Sequence, residues 1–154
     1  HEHGILSFLS AMTKAYDILV PLLARHRGLC LAQNADNILA IFPAPADAVR
    51  AAVAMHRAMA RRNGNLPEAE RFHICIVIHH GRVLRLRENV FGDAVNIAAK
   101  LGEDLAGKDE ILVTREVARC LRRPLRAEYQ LSVELGGRNF EIFRVPYGRG
   151  SLKS

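Results

Sequence analysis

A chain of 154 residues that is 49% hydrophobic and 25% charged, with no repeat or low-complexity tract, suits one domain with its own core and excludes a fibrous or disordered protein. The formal net charge of +6 admits phosphate or nucleic-acid partners, but the arginines are scattered and accompanied by only six Phe and three Tyr, which makes nucleic acid the weakest partner class. Cys30, Cys75 and Cys120 are odd in number and too far apart for a metal knuckle, so a reducing, cytoplasmic setting is expected. No apolar run approaches the roughly 18 residues that cross a bilayer, and no signal peptide is visible, so no membrane segment is expected.

In chain order, Ile5 to Arg25 reads as a helix. Ile5, Phe8, Leu9, Met12, Tyr16, Leu19, Leu22 and Leu23 form its apolar stripe, and Pro21 is expected to bend it. Gly28 stops it. Leu29 to Gln33 and Ile38 to Phe42 form a hairpin around Asn34-Ala35-Asp36-Asn37. A second helix opens with Pro45 and Asp47, buries Val49, Ala52, Val53, His56 and Met59, and ends near Asn63-Gly64.

"FHICIVIHHG" is apolar on both faces, which predicts a central strand. Val83 to Arg87 alternates apolar and basic, as an exposed ribbon does. A third helix spans about Gly92 to Leu105, "EILVT" is a short strand, and Thr114 is expected to cap a brief helix through Leu121. "YQLSVEL", the turn "GGRN" and "FEIFRV" close the chain as a hairpin. The tail after Pro146 has little reason to be ordered.

This order predicts an α+β fold, a ferredoxin-like βαββαβ-type core with an added C-terminal hairpin and its first core strand missing. Residues 1–145 form the domain and 146–154 the tail. The absent strand would precede Ile5 and be central, so its loss leaves two unpaired edges. With His1 rather than Met in first place, further residues are expected upstream.

The most specific segment is "ENVFGDAVNIAAKLGED", Glu88 to Asp104. Together with "ADNILAIFPAPADAVRAAVAM" and "GKDEILVTREV", it resembles the catalytic domain of class III adenylate/guanylate cyclases. The pattern F-G-x-x-V-N-x-A-x-[RK]-L is met from Phe91 to Leu101, the Gly81 to Gly92 spacing fits, and the closing hairpin falls where that family has its last one.

The resemblance implies a purine nucleoside triphosphate substrate and a lyase reaction in which the ribose 3′-hydroxyl attacks the α-phosphate and expels pyrophosphate. It also implies two cations, Mg2+ or Mn2+, held by two Asp residues. Asp36 matches one of these, and its partner falls upstream of His1, so this chain carries half a metal site. Asn96 matches the Asn that orients the ribose. Lys100 stands where the family usually has an Arg, and it keeps the charge but not the planar fork. At the base-recognition positions Ala32 replaces a Lys and cannot donate, whereas Asn89 replaces an acid and can still hydrogen-bond either purine. Ala35 takes the place of a Gly.

Each residue has a plainer reading: Asp36 shapes its turn, Asn96 and Lys100 face solvent, and Asp93 complements the helix dipole. His79 and His80 are adjacent, and on a strand adjacent residues point to opposite faces, so they are not expected to share an ion. By resemblance the chain is expected to form a homodimer with Asp36 of one copy near Asn96 and Lys100 of the other. Three readings follow: a cyclase in cyclic-nucleotide signalling, impaired or inactive as given; a degenerate regulatory or dimerisation module that binds nucleotide without turnover; and, weakest, a basic nucleic-acid-binding domain.

Overall fold

The computed structural model describes residues 2–87, 89–105 and 107–148, with side chains from residue 4 onward. The chain divides into two units, His1–Ile74 and Cys75–Ser154. The first runs α1 (Glu2–Arg25), β1 (Leu29–Gln33), β2 (Ile38–Ile41) and α2 (Pro45–Gly64), followed by a 3-10 turn at Glu68–Glu70. The second holds β3 (Cys75–Ile78), β4 (Leu84–Leu86), β5 (Asn89–Phe91), α3 (Asp93–Asp104), β6 (Glu110–Thr114), α4 (Arg115–Ala118), β7 (Glu128–Leu135) and β8 (Arg138–Arg144). The α+β class is as expected.

In the first unit α1 packs on α2 and β1. Its apolar stripe is buried only in its second half, through Ala15, Tyr16, Leu19 and Leu23; Ile5, Leu6, Phe8 and Leu9 stay exposed. Over Gly4–Arg25 this helix is long and apolar enough to cross a bilayer, by length and composition alone, which corrects the expectation that no stretch reaches that length. Pro21 lies within the helix. The predicted buried face of α2 is buried as a set, Val49, Ala52, Val53, His56 and Met59. Asn63 ends it with a strap: its amide donates to the Phe72 carbonyl at 2.8 Å and its oxygen accepts from the Phe72 N–H at 3.0 Å. β1 and β2 pair antiparallel from Leu29 opposite Ile41 to Gln33 opposite Ile38, with an irregularity between Cys30 and Ala32.

The second unit is built on a mixed sheet of order β3-β6-β8-β7. β3 and β6 are parallel, and the other neighbours antiparallel. β3 is an edge of this sheet rather than a central strand, and all four of its residues are half-buried. Apolar residues on both faces report that both faces are covered; they do not report how many neighbours hydrogen-bond the strand. The expected first core strand has no counterpart among the described residues, where α1 comes first.

Ile97 and Leu101 of α3 pack against Leu112, Phe140 and Ile142 of the sheet. α3 starts at Gly92, whose φ of 144° and whose approach to the Arg82 carbonyl, 2.6 Å from where a Cβ would stand, admit only glycine. The closing turn uses Gly136 and Gly137 at φ 58° and 79°, the pair of positive values a two-residue hairpin turn requires.

Two expectations about the chain's later part need correction. α4 covers only Arg115–Ala118, and Thr114 at its start makes no side-chain cap bond. The Thr114 hydroxyl is instead buried against His79 Nδ1 at 2.9 Å, so a long-range partner has taken the group that local pattern assigned to the helix. Past Pro146, the Tyr147 hydroxyl donates to the Asp109 carbonyl, which ties down the start of the tail. Residues 149–154 of the predicted tail lie outside the described residues.

Candidate functional site

Asp36 sits at the tip of the β1–β2 hairpin, exposed, as the Asn-Ala-Asp-Asn tetrapeptide predicts. The turn is closed by the Asn34 N–H donating to the Asn37 carbonyl at 2.9 Å and by the Asn34 amide donating to the Asn37 side chain at 3.0 Å. The Asn37 amide donates to Asp36 Oδ1 at 3.2 Å, which orients the carboxylate. Beneath the turn the Tyr16 hydroxyl reaches the Asn34 carbonyl at 3.4 Å. Burial raises the Tyr16 phenol above its ordinary value, and the negative charge of Asp36 raises it further. Ala32 is half-buried in β1 opposite Leu39, a methyl group with nothing to donate.

Asn96 and Lys100 lie four residues apart on the outer side of α3, both exposed, because Ala94, Ile97 and Leu101 take the buried side. Lys100 Nζ is 3.8 Å from Glu103 and 3.7 Å from Asp104. Its charge is therefore partly answered on its own helix before any ligand arrives. Asn89 is exposed in β5 opposite Leu86. Asp93 opens α3, where the helix dipole favours an acid, and Arg138 approaches it at 3.9 Å.

Asp36 thus belongs to the first unit, and Asn89, Asn96 and Lys100 to the second. Magnesium or manganese in a two-metal site needs several carboxylate oxygens converging on each ion. Among the described residues no group of three or more His, Cys, Asp or Glu side chains can hold a metal ion. The carboxylate of Asp36, with two amides beside it, does not make up such a site. All three cysteines are free thiols.

The second unit also contains a feature that its sequence does not announce. An open cleft of about 890 Å³ lies where the segment after β3, the β4–β5 ribbon, the start of α3, α4 and the start of β8 meet. His79 and His80 both line it, since they follow the end of β3 and are not bound by strand alternation. Arg138 and Glu116 join them from far along the chain. Burial holds the His79 ring below the ordinary histidine value; Glu116 acts against that, and Arg138 and His80 act with it. Arg138 follows the Gly136-Gly137 turn, and nothing in the sequence pairs it with α3.

No family model matches the chain. Among curated proteins it is 28% identical over 133 residues to the serine/threonine-protein kinase pkn2 of Myxococcus xanthus, covering 85% of this chain and 16% of that protein. It is 31% identical over 90 residues to the putative adenylate cyclase 3 of Rhizobium meliloti (strain 1021), covering 58% of this chain and 15% of that protein. The chain therefore spans about one sixth of the curated relatives it matches. Among solved structures it superposes on the adenylate/guanylate cyclase/hydrolase from Silicibacter pomeroyi with a TM-score of 0.73 at 24% identity, covering 86% of this chain and 82% of that one. The chain has the fold of the class III adenylate/guanylate cyclase domains.

Proposed function

We propose that this chain is a class III nucleotide cyclase-type domain that takes up a purine nucleoside triphosphate, and that alone it forms little or no cyclic product. Residues 1–145 act as one domain, with 146–154 as a tail, in a cytoplasmic cyclic-nucleotide signalling protein. One observation carries the reading. In a chain with the cyclase fold, the polar candidate residues Asp36, Asn96 and Lys100 are all exposed side chains outside the core. Core residues would have to be kept for packing; exposed ones are available to a ligand.

In this reading the Asn96 amide hydrogen-bonds the ribose, Asn89 meets the edge of the purine, and Lys100 supplies a point charge to the phosphates. A homodimer brings Asp36 of one copy opposite Asn96 and Lys100 of the other, through one self-complementary surface shared by both copies. Weak turnover follows from chemistry: Ala32 donates nothing to the base, Lys100 is partly neutralised by Glu103 and Asp104, and one carboxylate cannot hold two cations. Each missing electrostatic contributor in a preorganised site costs about 100-fold or more in rate. These same losses favour the second reading, a regulatory or dimerisation module that binds nucleotide without turnover.

The test is ATP and GTP binding together with cyclic-nucleotide production, in manganese and in magnesium. Saturable binding that Asn96→Ala weakens by about tenfold supports the nucleotide role. Product that vanishes in Asp36→Ala selects the enzyme over the module. If neither nucleotide binds, the reading is wrong.

A further inference from the structure

The cleft of the second unit is lined from α3 by Asp93, Ala94 and Ile97, and neither Asn96 nor Lys100 is among its lining residues. Leu84 and Phe91 stand directly opposite each other across the β4–β5 ribbon, and each is more than half exposed. With Ile97 they give the cleft an apolar wall. Arg138 and His79 line the same cleft; the Arg138 guanidinium sits 4.9 Å over the ring of Phe140, and the His79 ring meets that ring edge-on at 5.6 Å. One aromatic ring thus packs against both the guanidinium and the imidazole. His79 Nδ1 is committed to the Thr114 hydroxyl, so Nε2 is the nitrogen turned the other way, 3.9 Å from where a Cβ on Gly81 would stand.

We propose that this cleft binds a small organic anion with an apolar body, its carboxylate held by Arg138 and by His79 Nε2 while its body lies on Leu84, Phe91 and Ile97. The charges around it decide how. Arg82 and Arg138 are balanced by Asp93 and Glu116, with His80 at the exposed rim, so an entering anion leaves the site one negative charge in excess. A proton on His79 restores the balance. Glu116 favours that proton, against burial and the charges of Arg138 and His80. The existing Arg138–Asp93 pair is no obstacle, because at 3.9 Å with Asp93 88% exposed it is a weak, screened contact that a carboxylate can replace. Binding is therefore coupled to proton uptake, and affinity rises as pH falls towards the ligand's own carboxylate pKa.

The experiment titrates the full chain with 3-phenylpropionate, without nucleotide, following His79 and Phe91 by NMR. Saturable shifts are expected, with affinity about tenfold higher at pH 6 than at pH 8. The neutral 3-phenylpropanamide and inorganic phosphate should each bind at least about tenfold more weakly, and Arg138→Gln should cost about tenfold or more. His79→Gln should keep binding but lose its pH dependence. Absent saturation, equal binding of the amide or of phosphate, an unaffected Arg138→Gln, or a pH dependence that survives His79→Gln would each overturn the proposal. Displacement by ATP would overturn it too, by making the cleft part of the nucleotide site. Because the readout needs no nucleotide, failure here leaves the cyclase reading standing, and the reverse holds.

Discussion

The two units carry their candidate residues on opposite kinds of support. In the second, Asn96 and Lys100 stand on a helix whose other side is bolted to a sheet through Ile97 and Leu101, so their positions inherit the rigidity of a packed core. In the first, Asp36 stands at the tip of a two-stranded hairpin, positioned by two asparagines and the Tyr16 hydroxyl below. A pair of strands alone is marginally stable. A helix face is suited to presenting fixed hydrogen bonds; a hairpin tip leaves its side chain freer to rearrange.

Breaking this contrast starts at the core. Leu101→Ala should destabilise the second unit by about 2–5 kcal/mol, because it empties a site with no solvent exposure. Urea unfolding would measure it, and Asn96-dependent nucleotide binding should fall with it. Asp36→Ala should do the reverse. Stability should stay within about 0.5 kcal/mol, while any cyclic product drops by about 100-fold or more.

The His79–Thr114 contact is of intermediate size. With the folded His79 pKa held below its unfolded value of about 6.5, the unfolded state binds more protons as pH falls. The wild-type chain should therefore lose stability on acidification from about pH 7, levelling off below the folded pKa, and His79→Gln should lose less over that range; unfolding at pH 7 and pH 5 would compare them. The smallest effect is expected at Lys100. Removing both acidic partners, with Glu103→Gln and Asp104→Asn, should change stability by only about 0.2–0.5 kcal/mol per pair. It should tighten nucleotide binding a few-fold, which a titration would read.

Elements set by neighbours along the chain were legible in advance. The hairpin around Asp36, the buried face of α2 and a glycine turn in the closing hairpin follow from periodicity and local backbone sterics, although that turn is Gly136-Gly137 alone and Arg138-Asn139 already belong to β8. Elements set by distant residues were not. β3 reads as central but lies at an edge, because its pattern records covered faces and not paired edges. Thr114 reads as a helix cap, but its hydroxyl is claimed by His79, 35 residues earlier.

What the sequence determined by itself was therefore most of the order and type of the elements, though not β5, together with the turn that displays Asp36 and the helix face that displays Asn96 and Lys100. These depend on interactions a few residues apart, which the residue pattern encodes directly. Only the tertiary structure decided the strand order of the sheet, the partners of Thr114 and Lys100, and the cleft where His79, Glu116 and Arg138 meet. Those depend on which distant surfaces come to share buried area, and burial has no signature in local spacing.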